Sequence, residues 1–261
     1  MRWFDAHAHI SDPRLAGDAA GLVLRARQSG VGAIACHGTR PEDWPEVRRL
    51  AATASIFRAG YGLHPWFAAA ARQSTPDWRD RLLEFLAADP RAAVGEIGLD
   101  YAPEYRDDPA QHRALLDQWR LSIERGRPVV LHVRRAWEPM LRFLRDHGPH
   151  PVGMVLHAYN GGPELVDALL PFNAFFSFGG SVTFDRHHRP RRAAANVPLE
   201  RLLLETDAPD IAMAGRPPDP PPEPADLPRV GRVVAELRSA TIEEIADATW
   251  RNAGALYGAD V

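Results

Sequence analysis

Eight short apolar segments recur along the chain, and longer stretches with helical periodicity separate them. Within residues 109–125, for example, Leu115, Leu116, Trp119 and Ile123 repeat at the spacing of one helix face. Such alternation is typical of parallel βα units, and eight units in 261 residues match the size of a (β/α)₈ barrel. We therefore predict an α/β fold, a single TIM-type barrel domain over residues 1–261. The predicted strands are Trp3–Ala8, Gly32–His37, Ile56–Leu63, Ala92–Gly98, Pro128–Val133, Gly153–His157, Ala174–Phe178 and Leu202–Thr206.

A doubly wound open sheet is the structural alternative. No Gly-x-Gly-x-x-Gly motif follows the first strand, which disfavours the nucleotide-binding sheets of that type. The proline-rich stretch Arg216–Pro228 is predicted to be non-helical, a stiff surface loop before a helix near Arg229–Ser239, rather than a partner-binding motif. It could also roof the site. Thr241 and Glu244 predict a capping box for a last helix that ends near Tyr257.

Composition excludes several kinds of function. The net charge of −3 argues against general binding of polyanions, and the apolar runs are too short to cross a bilayer. One cysteine, Cys36, excludes an internal disulfide and a cysteine-based zinc site. All 31 basic residues are arginine, so a P-loop lysine, a Schiff-base lysine and a carbamylated lysine bridge are excluded too. The first residues lack the apolar core of a signal peptide, and we predict a cytoplasmic protein.

Histidines and carboxylates stand where the predicted strands end. His7 and His9 are two residues apart in the first strand region, so both imidazoles point to one face and could grip one ion. Taken alone, this pair is as compatible with packed core histidines. Glu96 stands between glycines in an otherwise apolar fourth strand. An unpaired buried carboxylate is costly, so Glu96 is either paired with a buried arginine or a metal ligand able to bridge two ions.

The later strands repeat this placement. His132 follows the apolar run of the fifth strand, and His157 follows that of the sixth. Asp207 ends the eighth strand, with Glu205 predicted on the same face and Thr206 on the opposite face. Each residue has a structural alternative, a satisfied core histidine or a helix N-cap. Two histidines at the ends of successive strands favour a functional site over these alternatives.

Six residues would thus meet at the C-terminal rim, where barrel enzymes build their active sites. Imidazoles and carboxylates without thiolates suit Zn²⁺, Mn²⁺, Mg²⁺ or Ni²⁺. Four histidines and two carboxylates exceed the needs of one closed ion, so we predict a site for two divalent metal ions. The predicted ligands are His7, His9, Glu96, His132, His157 and Asp207.

Other rim residues are candidates for contacts with substrate. His64 ends the third strand and could bind substrate or orient a metal ligand. Arg134 or Arg135 could clamp a phosphate with its planar fork. The basic run 186–192 could meet a nucleic-acid backbone, although a solvated helix start explains it as well. Aromatic residues after strand ends could stack on bases or simply pack; they are Tyr101, Trp66, Tyr159 and Phe184. No placement signal distinguishes His37, His112, His147 or His150.

Seven segments that contain the residues above, and that are spread over almost the whole chain, resemble in sequence and in order the motifs of the TatD-type metal-dependent deoxyribonucleases. The resemblance implies a barrel of the metallo-dependent hydrolase type with a two-ion centre. It also implies that one ion binds His7, His9, Glu96 and Asp207. The second ion would bind Glu96, His132 and His157, so that Glu96 bridges the two ions. The matching segments are Phe4–His9, Gly62–Pro65, Gly95–Tyr101, Leu131–His132, Leu156–His157, Glu205–Pro209 and Asn252–Gly258.

Two segments depart from the family pattern. Many relatives have Cys-Phe-Ser-Gly after the sixth-strand histidine, where this chain has Ala158–Gly161. Relatives often carry Asn-Glu-Pro or Asn-Arg-Pro in the loop after the last aspartate, where this chain has Pro222–Pro224. Both segments are predicted to line the rim, so they bear on substrate preference rather than on metal binding.

We therefore predict a hydrolase that cleaves phosphodiester bonds of nucleic acid, a 3′-5′ exonuclease acting on single-stranded DNA or RNA ends through a metal-activated water. Asp207 would accept or orient the proton of that water, Glu96 would bridge the ions, and Arg134, His64 and Tyr101 would contact substrate. One alternative is a two-metal amide, ester or lactone hydrolase of the wider amidohydrolase-like group. Another is a non-catalytic binding protein on a barrel that has lost its activity. We predict a monomer that needs no membrane.

Overall fold

Eight parallel strands form one sheet in which the strand order follows the chain from β1 to β8. The computed structural model describes residues 1–217 and 219–258. The sequence prediction of one domain over residues 1–261 includes 218 and 259–261, which lie outside the described residues. The strands are β1 Trp3–Ala8, β2 Val31–Gly38, β3 Phe57–Tyr61, β4 Ala93–Asp100, β5 Val129–Arg134, β6 Met154–Leu156, β7 Ala174–Phe178 and β8 Leu202–Leu204.

Helices follow the strands in alternation and cover the outside of the sheet. The helix predicted at 109–125 is observed one residue earlier, as α6. In the described part of the chain, no helix is both long and apolar enough to span a membrane. The helices are α1 Pro13–Ala16, α2 Ala19–Gln28, α3 Trp44–Thr53, α4 Ala68–Ser74, α5 Trp78–Ala88, α6 Asp108–Glu124, α7 Trp137–His147, α8 Pro163–Leu169, α9 His188–Asn196, α10 Leu227–Arg238 and α11 Ile242–Tyr257.

Backbone hydrogen bonds between the first and last strand regions close the barrel. The Asp207 amide donates to the His7 carbonyl at 2.9 Å, and the His9 amide donates to the Ala208 carbonyl at 2.7 Å. This closure confirms the predicted (β/α)₈ fold and rejects the open sheet. It also brings two ends of the chain, some 200 residues apart, to one point on the rim.

The N-terminal end of the barrel is filled by apolar side chains and covered by α11. Val130, Val155 and Leu203 join one buried cluster with the α11 side chains, each two residues before a polar residue of the opposite rim. Tyr257 of α11 stacks on Phe4, with ring centroids 5.4 Å apart. Alternation along a strand therefore produces an apolar layer below and a polar layer above.

Strand ends differ from the prediction. β4 continues to Asp100 and β5 to Arg134, because those two residues still pair with each other. Glu96 and His132 therefore lie inside their strands rather than at the last position. β8 ends earlier than predicted, at Leu204, so Asp207 lies in the loop that follows.

The proline-rich stretch is only partly a loop. Pro224–Asp226 form a 3₁₀ turn and α10 begins at Leu227, so the prediction of a non-helical stretch through Pro228 is wrong at its end. Proline is tolerated there because amides in the first helical turn have no partner within the helix. The Arg25 side chain on α2 donates to both carboxylate oxygens of Glu223 at 2.7–2.9 Å. The predicted capping box of Thr241 and Glu244 is present and begins α11.

Candidate metal centre

A cavity of about 360 Å³ opens at the C-terminal end of the barrel. Its polar floor contains most of the predicted ligands, together with His64: His9, His64, Glu96, His132, His157 and Asp207. His7 is fully buried directly beneath, 3.2 Å from His9 between the two Nε2 atoms. All six predicted metal ligands therefore meet in one cluster.

Glu96 is the hub of this cluster, and its Oε1 atom faces three imidazoles. It lies 2.7 Å from His157 Nε2, 2.8 Å from His132 Nδ1 and 3.2 Å from His64 Nε2. The side chain is only 3% exposed. Burial opposes its ionisation, but His157, His64 and His132 outweigh burial and hold the pKa of Glu96 well below its usual range.

The second carboxylate oxygen of Glu96 faces a different pair of imidazoles. Its Oε2 atom is 3.3 Å from His7 Nε2 and 3.4 Å from His9 Nε2. Asp207 Oδ1 lies 3.6 Å and 3.5 Å from the same two nitrogen atoms. One carboxylate thus stands between two sets of nitrogen donors, which is the arrangement that a bridging ligand requires.

Two glycines make room for this hub. A Cβ on Gly98 would lie 2.0 Å from the His132 carbonyl oxygen, and its φ of +143° is unfavourable for other residues. A Cβ on Gly62 of the β3 end would lie 2.7–2.9 Å from backbone atoms of Gly95 and Glu96. The glycines of the sequence motif are therefore needed for close strand approach at Glu96.

Neighbouring carbonyl and carboxylate groups determine which ring nitrogens are free to bind a metal. His9 Nδ1 lies 3.0 Å from the carbonyl of His37, an acceptor only, so Nδ1 carries a hydrogen and, in the neutral ring, Nε2 presents its lone pair to the cluster. His132 Nε2 likewise donates to Asp100 Oδ2 at 3.0 Å, which leaves Nδ1 free to face Glu96. Both rings are therefore oriented as metal ligands.

His64 has the opposite polarity. The Trp66 amide donates to His64 Nδ1 at 3.2 Å, so in the neutral ring Nε2 carries the hydrogen and points at Glu96. Burial lowers the pKa of His64 to about 4, which keeps the ring neutral at pH 7. His64 is therefore a hydrogen-bond donor to the hub rather than a ligand.

The donor set fits divalent metal ions. Within each of three groups, the side-chain nitrogen and oxygen atoms lie within 4.8 Å of one another: His7, His9 and Asp207; His7, Glu96 and His157; and His64, Glu96 and His132. His64 enters the third group through the Nε2 that faces Glu96. Asp207 Oδ1 is buried without a hydrogen bond. Such a buried oxygen, beside the Nε2 atoms of His7 and His9, is the environment that a cation would satisfy.

Four buried residues support the cluster, and the sequence analysis did not select them. His37 stacks on His7 with ring centroids 4.4 Å apart, and Asp100 accepts a hydrogen bond from His132. Glu205 Oε1 accepts a hydrogen bond from the amide of Ala158, the residue after His157, at 2.6 Å. The fourth, Asp5, accepts Thr206 Oγ1 at 2.6 Å across the closure of the barrel, and burial raises its pKa to about 8. Strand position could have identified His37, since it stands near the end of β2 as His132 does near that of β5.

The predicted substrate contacts are more scattered. Arg134 Nη1 lies 3.7 Å from Asp100 and 3.5 Å from Glu104, outside the lining of the cavity. Tyr101 lines a separate cavity, where its hydroxyl lies 2.8 Å from His112 Nε2. The arginines that do line the metal cavity are Arg14 and Arg40. The remaining prediction, a roof formed by residues 216–228, gains no support, since no described residue of that stretch lines the cavity.

The other aromatic and basic candidates also separate. Trp66 lines the cavity, whereas Tyr159 is buried in the core. Phe184 lies outside the cavity lining, beneath the guanidinium of Arg186 at 4.6 Å. The basic run lies where α9 begins, and Arg191 bonds the Val182 carbonyl at 2.7 Å.

Comparison with known proteins agrees with this geometry. The family model described as TatD related DNase matches residues 4–258, which include every member of the cluster. The chain belongs to the TatD family. It is 34% identical to the metal-dependent hydrolase YjjV of Escherichia coli K12, over 98% of both chains. It is 31% identical to the 3′-5′ ssDNA/RNA exonuclease TatD of Edwardsiella piscicida, over 97% of this chain and 98% of that protein.

The TatD-family fold is shared with solved structures. The crystal structure of the Escherichia coli YjjV protein, a TatD homologue, superposes with a TM-score of 0.90 at 32% identity, covering 99% of each chain. The protein is thus a metal-dependent hydrolase of the TatD family that uses divalent metal, and the predicted family, fold and enzyme class are confirmed.

Proposed function

We propose that this TatD-family hydrolase is a nuclease that removes nucleotides from the 3′ end of single-stranded DNA or RNA. The observation that carries the proposal is the Glu96 carboxylate, whose two oxygens face two separate sets of histidines. The names of the relatives that act on nucleic acid support the substrate class. The proposed cofactors are two divalent ions, Mg²⁺, Mn²⁺ or Zn²⁺.

The six ligands would hold those ions as the family resemblance implies, with Glu96 as the bridge. Ions bound there would lower the pKa of a water molecule and neutralise charge on the phosphate. Asp207 would accept or orient the proton of the attacking water at Oδ1, which forms no hydrogen bond of its own. Burial of the cluster excludes bulk solvent and strengthens its electrostatic interactions.

Residues of this chain would also hold the substrate. His64 Nε2–H would maintain the orientation of Glu96 or donate to a phosphate oxygen. Arg14 and Arg40 provide the guanidinium groups on the wall of the cavity. Arg134 and Tyr101, which lie outside the lining of that cavity, stay predicted substrate contacts. The predicted monomeric state and cytoplasmic location likewise stay predictions.

The test uses metal-stripped protein with single-stranded oligonucleotides labelled at the 3′ or the 5′ end, with each ion restored separately. We expect rapid loss of the 3′ label and a ladder of shortened 5′-labelled products. A panel of esters, amides and lactones is assayed in parallel. Turnover of that panel with intact oligonucleotides would replace the nuclease proposal with the carbon-centred alternative.

The variant Glu96→Gln tests the proposed bridge. We expect at least a 1,000-fold loss of kcat and loss of bound metal, because the amide oxygen and nitrogen cannot both accept a cation. Metal content is measured by elemental analysis alongside the oligonucleotide assay. Glu84→Gln, an exposed change on α5, is the matched control. Retention of metal and activity by Glu96→Gln would refute the bridging role.

A further inference from the structure

Two exposed aromatic rings stack on each other at the mouth of the metal cavity. Trp66 and Tyr105 are 38% and 36% exposed, and their ring centroids lie 4.2 Å apart at an interplanar angle of 18°. Of the exposed large hydrophobic side chains in the described residues, these two are the aromatic ones. Single exposed apolar residues are ordinary, but a stacked pair beside an active site indicates a contact surface.

Trp66 is held in place by residues that also contact the predicted metal ligands. Its indole N–H donates to Asp100 Oδ2 at 2.6 Å, and the same oxygen accepts from His132 Nε2 at 3.0 Å. The Trp66 ring also meets His64 edge to face, with centroids 4.7 Å apart. The indole is therefore a rigid wall of the cavity, and Tyr105 stacks on it from outside the cavity lining.

Two guanidinium groups lie near the stacked pair, that of Arg134 paired with Asp100 and Glu104 and that of Arg40 paired with Asp43. Arg134 is 40% exposed on its side chain and reaches Glu104, the residue next to Tyr105, at 3.5 Å. Arg40 lines the cavity, and its guanidinium lies 5.0 Å from the ring centre of Phe67, the residue that follows Trp66 in the chain. Aromatic faces flanked by guanidinium groups are the combination that binds single-stranded nucleic acid, bases on rings and phosphates on cations.

We propose that Trp66 and Tyr105 form a platform on which one unpaired nucleobase, near the scissile phosphate, stacks. The proposal rests on the proposed nuclease function and specifies how the strand is held. Stacking on a ring is tolerant of sequence, because every base has a π face. It requires an unstacked base, so the platform favours single strands over duplex ends. Arg134 would then meet the phosphate that adjoins the stacked base.

The test combines an abasic site in the oligonucleotide with truncation of Tyr105. An abasic site is moved through the last nucleotides at the 3′ end, and KM and kcat are measured for each position. In the wild-type protein we expect one position where the missing base raises KM about 10-fold. Tyr105→Ala should raise KM for the intact strand by a similar factor and add little penalty for the abasic strand.

Tyr105 is the better site to change, because Trp66 also bonds Asp100. Tyr105→Phe keeps the ring and should restore the wild-type KM and the abasic penalty. Leu24→Ala removes another exposed apolar side chain, from α2, and is the control. A structural role alone would lower kcat or stability without removing the dependence on one base.

The outcomes separate the two proposals. If the wild-type protein cleaves oligonucleotides but Tyr105→Ala keeps the full abasic penalty, the platform is refuted and the nuclease function stands. If the wild-type protein binds oligonucleotides without cleaving them, Kd is measured by fluorescence anisotropy for the same series of abasic strands. The platform then predicts a loss of affinity at one position. If it neither binds nor cleaves them, both proposals fail.

Discussion

Three histidines around Glu96 each have one ring nitrogen bonded to a neighbour outside the hub, and that bond decides what the other nitrogen can do. His9 and His132 give their hydrogens away from the hub, to a carbonyl and a carboxylate. His64 accepts an amide hydrogen instead and is left with a hydrogen facing Glu96. Identical side chains thus become ligands or donors according to the partner on the far side of the ring.

The Asp100 carboxylate is expected to orient His132 for metal binding. Asp100→Asn replaces a charged acceptor with a neutral amide, so we expect 10- to 100-fold weaker metal affinity with the fold intact. Affinity is measured by competition with a chelating dye. Asp108→Asn, which alters an exposed carboxylate paired with Arg106, is the control. Equal affinities for the two variants would show that Asp100 plays no part in orienting the metal ligand.

At the scale of elements, two contacts show how helices hold the barrel beneath the site. The Tyr257 hydroxyl at the end of α11 donates to the Ala6 carbonyl of β1 at 3.0 Å. On the opposite side, His150 lies between α6 and β6, where Nε2 lies 2.9 Å from Ser122 Oγ and Nδ1 accepts the Gly153 amide at 3.1 Å. Both polar groups are almost fully buried and bonded.

Removal of the Tyr257 hydroxyl tests the first contact. Tyr257→Phe leaves a buried carbonyl without this donor, and we expect a loss of about 1 kcal/mol in the free energy of unfolding. Tyr257→Ala should cost ~3–5 kcal/mol, because it also empties the space under the barrel. Both values come from urea unfolding followed by circular dichroism. Tyr105→Phe, at an exposed position, should be neutral, and a Tyr257→Phe protein as stable as wild type would contradict the assignment.

The second contact predicts a pH dependence of stability. Burial lowers the pKa of His150 from 6.5 to about 4, so the unfolded state binds its proton at a higher pH than the folded state. The contribution of neutral His150 to the free energy of unfolding is therefore complete above pH 6.5. It is lost as the pH falls towards 4, by at most ~3 kcal/mol. His150→Gln should flatten the decline between pH 7 and pH 4.5 in urea unfolding, whereas His188→Gln, at an exposed position, should leave it unchanged. Parallel pH profiles for wild type and His150→Gln would refute this.

For the whole molecule, the cluster joins five strand regions of the barrel, those of β1, β4, β5, β6 and β8. Its predicted ligands include residues that close the barrel between the two ends of the chain, His7 and Asp207. An ion that binds this cluster therefore binds the folded chain and not the unfolded one. Metal binding and global stability are consequently linked.

Chelation should lower the melting temperature. Metal at 100 times its dissociation constant stabilises the folded state by about 2.7 kcal/mol, equivalent to roughly 5–10 °C for a protein of this size. We expect that shift between stripped protein and protein with Mn²⁺ or Zn²⁺ restored, measured by calorimetry. Glu96→Gln should show a much smaller shift. An identical melting temperature with and without metal would mean that no ion binds in the folded cluster.

Strand alternation, hence the barrel, and the location of the six polar residues towards the C-terminal side of the strands could be read from the sequence alone. Period-two patterns and apolar runs are local properties, and the C-terminal rim of a parallel barrel follows from them without coordinates. His7, Glu96 and Asp207 could therefore be assigned to one cluster although they are far apart in the chain.

The supporting contacts, by contrast, could not be read from the sequence. The partners of the ring nitrogens, such as Asp100 for His132 and the His37 carbonyl for His9, come from other strands. The stacking of Tyr105 on Trp66 likewise joins two different loops, those after β3 and β4. Hydrogen-bond direction and ring stacking depend on distances of a few tenths of an ångström between segments. A pattern along one strand contains no information on those distances, and closure of the barrel supplies it.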